Sequence, residues 1–191
     1  MTLLTGRHVP RRIASAVLIA LGTIAGTVSA HAQAGTNSVP SEAFAQAQAA
    51  YDEAWDASGL AFLVATFTEN GGSAYGQYTP RTNTVFSNGE TLSIYAEPVG
   101  YGYRETGADF AFELTASYKL LNKSGQVLAG QDNFAVFAGN GRSKQRELAA
   151  ALTFEFSGLP AGEYQLEASF TDEVKEDQAG FTLPFEISEA N

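Results

Sequence analysis

From residue 60 onward apolar and polar side chains alternate, and the alternation returns in block after block. Residues 109–121 show it most plainly. Phe110, Phe112, Leu114, Ala116, Tyr118 and Leu120 fall on one side, and Glu113, Thr115, Ser117 and Lys119 on the other. A period of two puts successive side chains on opposite faces of an extended chain, so this block predicts a strand with one buried face. The same pattern predicts strands at 147–156, 163–171 and 181–187, with Leu148, Leu152, Phe154, Tyr164, Leu166, Phe170, Phe181, Phe185 and Ile187 among their inward positions. Shorter candidates are 91–97, with Leu92, Ile94 and Ala96 inward, then 126–131 and 133–137. Residues 60–68 are apolar on both faces, so their outer face calls for a cover.

Between these blocks stand turn residues: Asn70 with Gly71 and Gly72, Asn88 with Gly89, residues 122–125, Asn140 between Gly139 and Gly141, and residues 157–162. Asn and Gly accept the positive φ that tight connections need. Seven to eight short strands of this kind, each with one apolar face, predict an all-β domain of two antiparallel sheets packed face to face over 60–188. Pro184 falls on the outward side of the last strand, which must therefore be an edge strand or bulged there.

The period changes ahead of the strands. Over 41–58, Phe44, Gln48, Tyr51 and Trp55 recur at spacings of a helix face, Ser41 is placed to cap the start with Glu42 in the first turn, and Ser58 and Gly59 end it. The stripe has two readings. The favoured one docks Phe44, Tyr51 and Trp55 on the sandwich as a lid over its open end or face, where the helix could cover residues 60–68; the other offers them to a partner.

One segment is more specific. Leu159, Pro160, Ala161, Gly162, Glu163 and Tyr164, followed by alternating Leu166, Ala168 and Phe170, resemble the tyrosine corner that enters strand F of immunoglobulin-like and fibronectin type III sandwiches. The resemblance implies an immunoglobulin-like fold in which Tyr164 buries its ring and sends its hydroxyl back to the preceding turn. Together with residues 94–103 and 180–187, the chain is similar to uncharacterised exported bacterial proteins with a single sandwich domain. It departs from antibody domains in lacking Cys altogether and in carrying its one Trp, Trp55, before the first strand. No activity comes with the resemblance.

The N-terminus reads as an export signal: Arg7, Arg11 and Arg12 precede a nearly apolar run over 13–28, and Ala30, His31 and Ala32 fit a small-x-small cleavage site. Residues 1–32 are thus expected to be removed and 33–40 to form a small, polar, disordered leader. A periplasmic or secreted protein without stable membrane insertion is the expectation. Cleavage would take both His and the sole Met with it, leaving 8 Lys and Arg against 21 Asp and Glu. So acidic a chain disfavours nucleic acid, which needs a basic patch, and the Arg142, Lys144 and Arg146 cluster is small for that purpose. Without His or Cys there is no imidazole or thiolate for a metal site, a haem or a nucleophilic triad, and no metal or cofactor is expected.

Five of the eight Tyr lie between residues 74 and 104. Tyr75, Tyr78, Tyr101 and Tyr103, with Arg104 beside them and glycines between, make the candidate ligand-binding set, because Tyr offers large area, few rotors and a polar tip. Ordinary loop packing is the competing use. The acidic run over 172–177 lacks the alternating spacing that wraps calcium and reads as a solvated turn. Acids such as Glu113, Glu155, Glu167 and Glu186 fall on outward faces, where nothing raises a carboxyl pKa for acid catalysis. The expected function is a non-catalytic interaction or accessory module for a periplasmic or envelope protein. A glycan- or cell-wall-binding module using the loop tyrosines is the alternative, and an acidic-residue hydrolase a distant third.

Overall fold

The computed structural model describes residues 38–71 and 74–189, so the expected signal and most of the leader lie outside the described residues. The chain divides into two units at Pro40, and the second, Pro40–Asn191, is compact. The second unit has the order α1 (Glu42–Ser58), β1 (Ala61–Thr68), β2 (Val85–Phe86), β3 (Thr91–Val99), β4 (Arg104–Thr106), β5 (Asp109–Asn122), β6 (Val127–Gly141), β7 (Ala150–Glu155), β8 (Gly162–Asp172) and β9 (Gln178–Ile187). It is thus mostly β, with two sheets and one helix. Among the described residues no helix is long and apolar enough to cross a membrane.

One sheet has the order β1-β3-β7; the other runs β2-β9-β8-β5, with β4 and β6 both paired to β5. All pairings are antiparallel except β2 with β9. The predicted inward positions of β5, β8 and β9 meet those of β1, β3 and β7 in a single core, where Phe62 of β1 packs edge-on to Phe170 of β8 at 5.0 Å. Ser41 caps α1 by accepting from the Phe44 amide at 3.2 Å, and Gly59 ends it. Pro184 sits where its missing donor costs nothing: the Glu186 amide, two residues on, points away from β8 toward Thr84, so Pro184 faces the same open side.

Several expectations need correction. Among the described residues there are nine strands against an expected seven or eight, because β2 and β4, with two and three residues, are too short to carry a period. The separate blocks 126–131 and 133–137 form one strand, β6, kinked at Asn133, whose φ is 51° and whose amide donates to Ser117 Oγ. The expected turn at 139–141 is strand as well; Gly139 is needed there because a Cβ would lie 2.7 Å from the Phe112 ring. The strand expected from 147 starts at Ala150. Finally, β3 is buried on both faces. Leu92, Ile94 and Ala96 enter the core, while Ser93, Tyr95 and Glu97 are covered from outside by residues 74–81. That segment lies over Tyr95 and its end pairs along the edge of β1, the Arg81 amide donating to the Phe67 carbonyl, while α1 leaves Leu63, farther along β1, 67% exposed.

Tyr164 is buried, stacks on Phe185 at 5.6 Å and donates its hydroxyl to the Pro160 carbonyl at 2.8 Å. Tyr164→Phe is expected to cost about 1 to 3 kcal/mol, since it strands that carbonyl. A melting curve unchanged from wild type would contradict a stabilising role for the hydroxyl.

Candidate functional site

The loop between β3 and β4 is the meeting point of the molecule's distant parts. Gly100 has φ +74°, and a Cβ there would lie 1.9 Å from the Gly59 carbonyl oxygen, so the helix end and the loop touch backbone to backbone. Tyr101 follows, fully buried; its carbonyl accepts from Trp55 Nε1 at 2.8 Å and its hydroxyl donates to the Gln145 carbonyl at 2.6 Å. Its ring lies 5.1 Å from Trp55 and 5.0 Å from Phe112. Tyr103 sends its hydroxyl to the same Gln145 carbonyl. Between them the Gly102 amide donates to Asp172 Oδ2 at 2.6 Å.

This loop holds α1. Trp55 is the helix's sole buried residue, at 4% exposure. The Arg146 guanidinium lies 4.8 Å from the Tyr51 ring and 4.9 Å from the Trp55 ring and pairs with Asp52 at 2.6 Å. Lys144 pairs with Asp56 at 3.3 Å. Lys175 donates to the Asp56 and Gly100 carbonyls, closing the helix C-terminus where the macrodipole favours a cation. The fit has a simple geometric origin. Four helical residues rise about 6 Å, and two extended residues span roughly 6.6 Å, so acids at 52 and 56 match cations at 144 and 146. Residues 144–146, outside the β ladder, are engaged here.

Of the expected lid, Trp55 docks while Phe44 and Tyr51 remain 59% and 52% exposed. Tyr51 lines a cleft of about 590 Å³ between α1 and residues 143–147, together with Gln48, Asp52, Phe110, Gln145 and Arg146. A smaller hollow continues past Phe110 to the end of β6.

The candidate tyrosines separate into two places. Tyr101 and Tyr103 belong to the β3–β4 loop, 5.5 Å apart, and the ring of Tyr101 is wholly enclosed and unavailable for stacking on a ligand. Tyr78 lies on the other side of β3, stacked at 4.2 Å on Tyr95, a residue outside the predicted set. Tyr95 is fully buried, accepts from the Gly76 amide at 2.6 Å and donates to Glu97 Oε1 at 2.7 Å. Tyr75, half-buried on the same segment, has its phenol pKa raised by burial first and then by Glu97, Tyr51 and Glu147. Arg104 is exposed at the start of β4, with Nη2 3.5 Å from the Glu173 carbonyl.

Burial, reinforced by Glu97, pushes Tyr95 from 10.0 up to about 12, and burial takes Tyr103 to about 12; Tyr101 is driven higher still. Above pH 10 the unfolded chain releases these protons while the folded chain keeps them. Their contribution to stability is therefore complete below pH 10 and falls as the pH rises toward 12. A tyrosinate absorbance titration should show late ionisation coincident with unfolding; full ionisation near pH 10 in a folded protein would refute it.

The acidic turn is corrected by Asp172, which is 0% exposed. Besides Gly102, its carboxylate accepts from the amides of Val174 at 2.9 Å and Lys175 at 3.3 Å, so it organises the turn from within. Glu97, also buried, is held by Tyr95. Among the described residues no group of three or more acids converges on a metal position.

One long surface remains unpaired. β6 has 15 residues and, among the described residues, pairs with β5 alone, so its other side presents backbone donors and acceptors without a strand partner there, and Val127, Leu128 and Val136 are exposed along it. Sequence reasoning split this strand at its kink. It also set Lys144 and Arg146 aside as a small cluster; their spacing against Asp52 and Asp56 was the signal for the helix dock.

No family model matches the chain, and no curated protein matches it.

Proposed function

We propose that this is an exported, periplasmic or secreted, immunoglobulin-like sandwich that serves as a non-catalytic module, binding an envelope protein by strand addition along β6. Strand order supports the fold. With the Tyr164 strand taken as F, β9-β8-β5 has the order G-F-C and β1-β3-β7 the order A-B-E. The single observation behind the binding mode is the unpaired 15-residue edge of β6, whose Phe134 to Gly141 half carries no charge on an otherwise acidic chain. Backbone groups on such an edge supply affinity and the alternate side chains supply specificity. The enclosure of Tyr101 argues against a stacking platform built from the four loop tyrosines.

The test is photocrosslinking of the full chain from single sites in β6 and in α1 within an envelope extract, repeated with Val136→Lys. Val136 is 57% exposed, so the substitution should leave stability within about 0.5 kcal/mol. A crosslinked partner specific to β6 sites and lost with Val136→Lys is expected; crosslinks indifferent to both site and variant would overturn the reading.

A further inference from the structure

The cleft between α1 and residues 143–147 has a wall chemistry that strand addition does not use. Two aromatic residues, Tyr51 and Phe110, line it beside the two planar amides of Gln48 and Gln145; Arg146 lies over one face of the Tyr51 ring at 4.8 Å and Lys144 6.0 Å from the Phe110 ring, leaving the opposite faces for a ligand. The charges are balanced: Arg146 and Lys144 stand with Asp52 and Glu147, and both cations are already paired to acids of α1. An anion would meet cations that are spoken for and two carboxylates. A cation drawn to Glu147 or Asp52 would meet Lys144 and Arg146 in the same wall. A purely apolar molecule would strand the amides and charged groups without hydrogen bonds.

We propose that this cleft binds a neutral oligosaccharide, its sugar faces against Tyr51 and Phe110 and its hydroxyls shared among Gln48, Gln145, Asp52 and Arg146. Aromatic rings take the apolar faces of a pyranose, while amides and carboxylates give paired donors and acceptors to neighbouring hydroxyls. The cleft is open to solvent, its volume of about 590 Å³ falls in the range of small-ligand sites, and concave sites with a few convergent polar groups are where such ligands bind. The site adjoins the C-terminal end of β6, where Gly141 pairs with Phe110, but does not use that strand's unpaired edge and stands or falls without strand addition there.

The protein carries its own reporter. Its only Trp, Trp55, touches both Tyr51 and Arg146, so occupancy of the cleft should change Trp emission. The full chain is titrated with cellotriose, maltotriose and N,N′-diacetylchitobiose. At least one should give a saturable change, and Gln48→Ala should weaken it about tenfold while the helical circular dichroism is retained. Gln48 is exposed, so this variant remains informative even if Tyr51→Ala loosens the helix. Val136→Lys should bind the sugar as wild type does, which separates this site from partner binding. Three outcomes would overturn the proposal: no saturable change with any of the sugars to millimolar concentration, binding unaffected by both Gln48→Ala and Tyr51→Ala, or binding lost instead on Tyr78→Ala.

Discussion

Trp55→Ala is expected to destabilise the domain by about 3 to 5 kcal/mol. A helix of 17 residues is marginal on its own in water, and α1 buries only this side chain, so its attachment rests on one ring and a few ion pairs. The substitution removes three things together. It empties the space between Tyr51 and Tyr101, it leaves the Tyr101 carbonyl without the indole N–H, and it takes away one of the two rings that flank Arg146. In a domain of this size the loss corresponds to a drop in melting temperature of roughly 6 to 20 °C. Weaker helical circular dichroism and faster proteolysis between residues 41 and 58 should accompany it. Trp55→Phe keeps much of the packing but not the donor and should cost about 1 kcal/mol on that account. Phe44→Ala, on the same stripe but exposed, should stay within about 0.5 kcal/mol. A Trp55→Ala protein that melts within a degree or two of wild type would mean that the helix is held by something else.

The second large effect is expected at Asp172. Its two carboxylate oxygens satisfy three backbone donors, from Gly102, Val174 and Lys175, and the first belongs to a loop 70 residues away. Hydrogen bonds to a charged group are worth about 1.5 to 3 kcal/mol each, and they do not simply add, so Asp172→Ala should cost about 3 kcal/mol or more. Asp172→Asn separates geometry from charge. Its amide can still accept through one oxygen but turns an N–H₂ toward one of the donors, so it should fall between Ala and wild type. Glu176→Ala in the same acidic run is a suitable control, because that carboxylate makes no such bonds to the loop. If Asp172→Ala unfolded at the wild-type denaturant midpoint, the turn would be self-sufficient and the link to the tyrosine loop incidental.

Both effects concern residues that local pattern could not fully rank. Trp55 was visible as part of a helical stripe, yet Phe44 and Tyr51 carry the same spacing, and nothing in a periodicity tells which member of a stripe meets a wall. Asp172 opens an acidic run, and such runs ordinarily face water; it is buried because β8 ends where residues 100–103 cross. Tyr101 and Tyr103 read as candidate recognition residues, with ordinary loop packing the favoured use. Their fate was settled by the Gln145 carbonyl, 44 and 42 residues distant, which takes both hydroxyls. The double burial of β3 was likewise out of reach, since one alternating face says only that the other can be solvated.

Alternation along single segments was enough to define what is local: the strands β5, β8 and β9 with their inward residues, the helix with its Ser41 cap, and the turn before Tyr164. These follow from side-chain geometry and backbone preferences within a dozen residues, so the amino-acid order states them outright. The tertiary structure alone decided which surfaces meet: residues 74–81 over β3, α1 against the β3–β4 loop and residues 144–146, Asp172 beneath Gly102, and β6 left as a free edge. Those outcomes depend on contacts across tens of residues, where the closing of one interface removes or exposes another, and no periodicity along the chain records that competition.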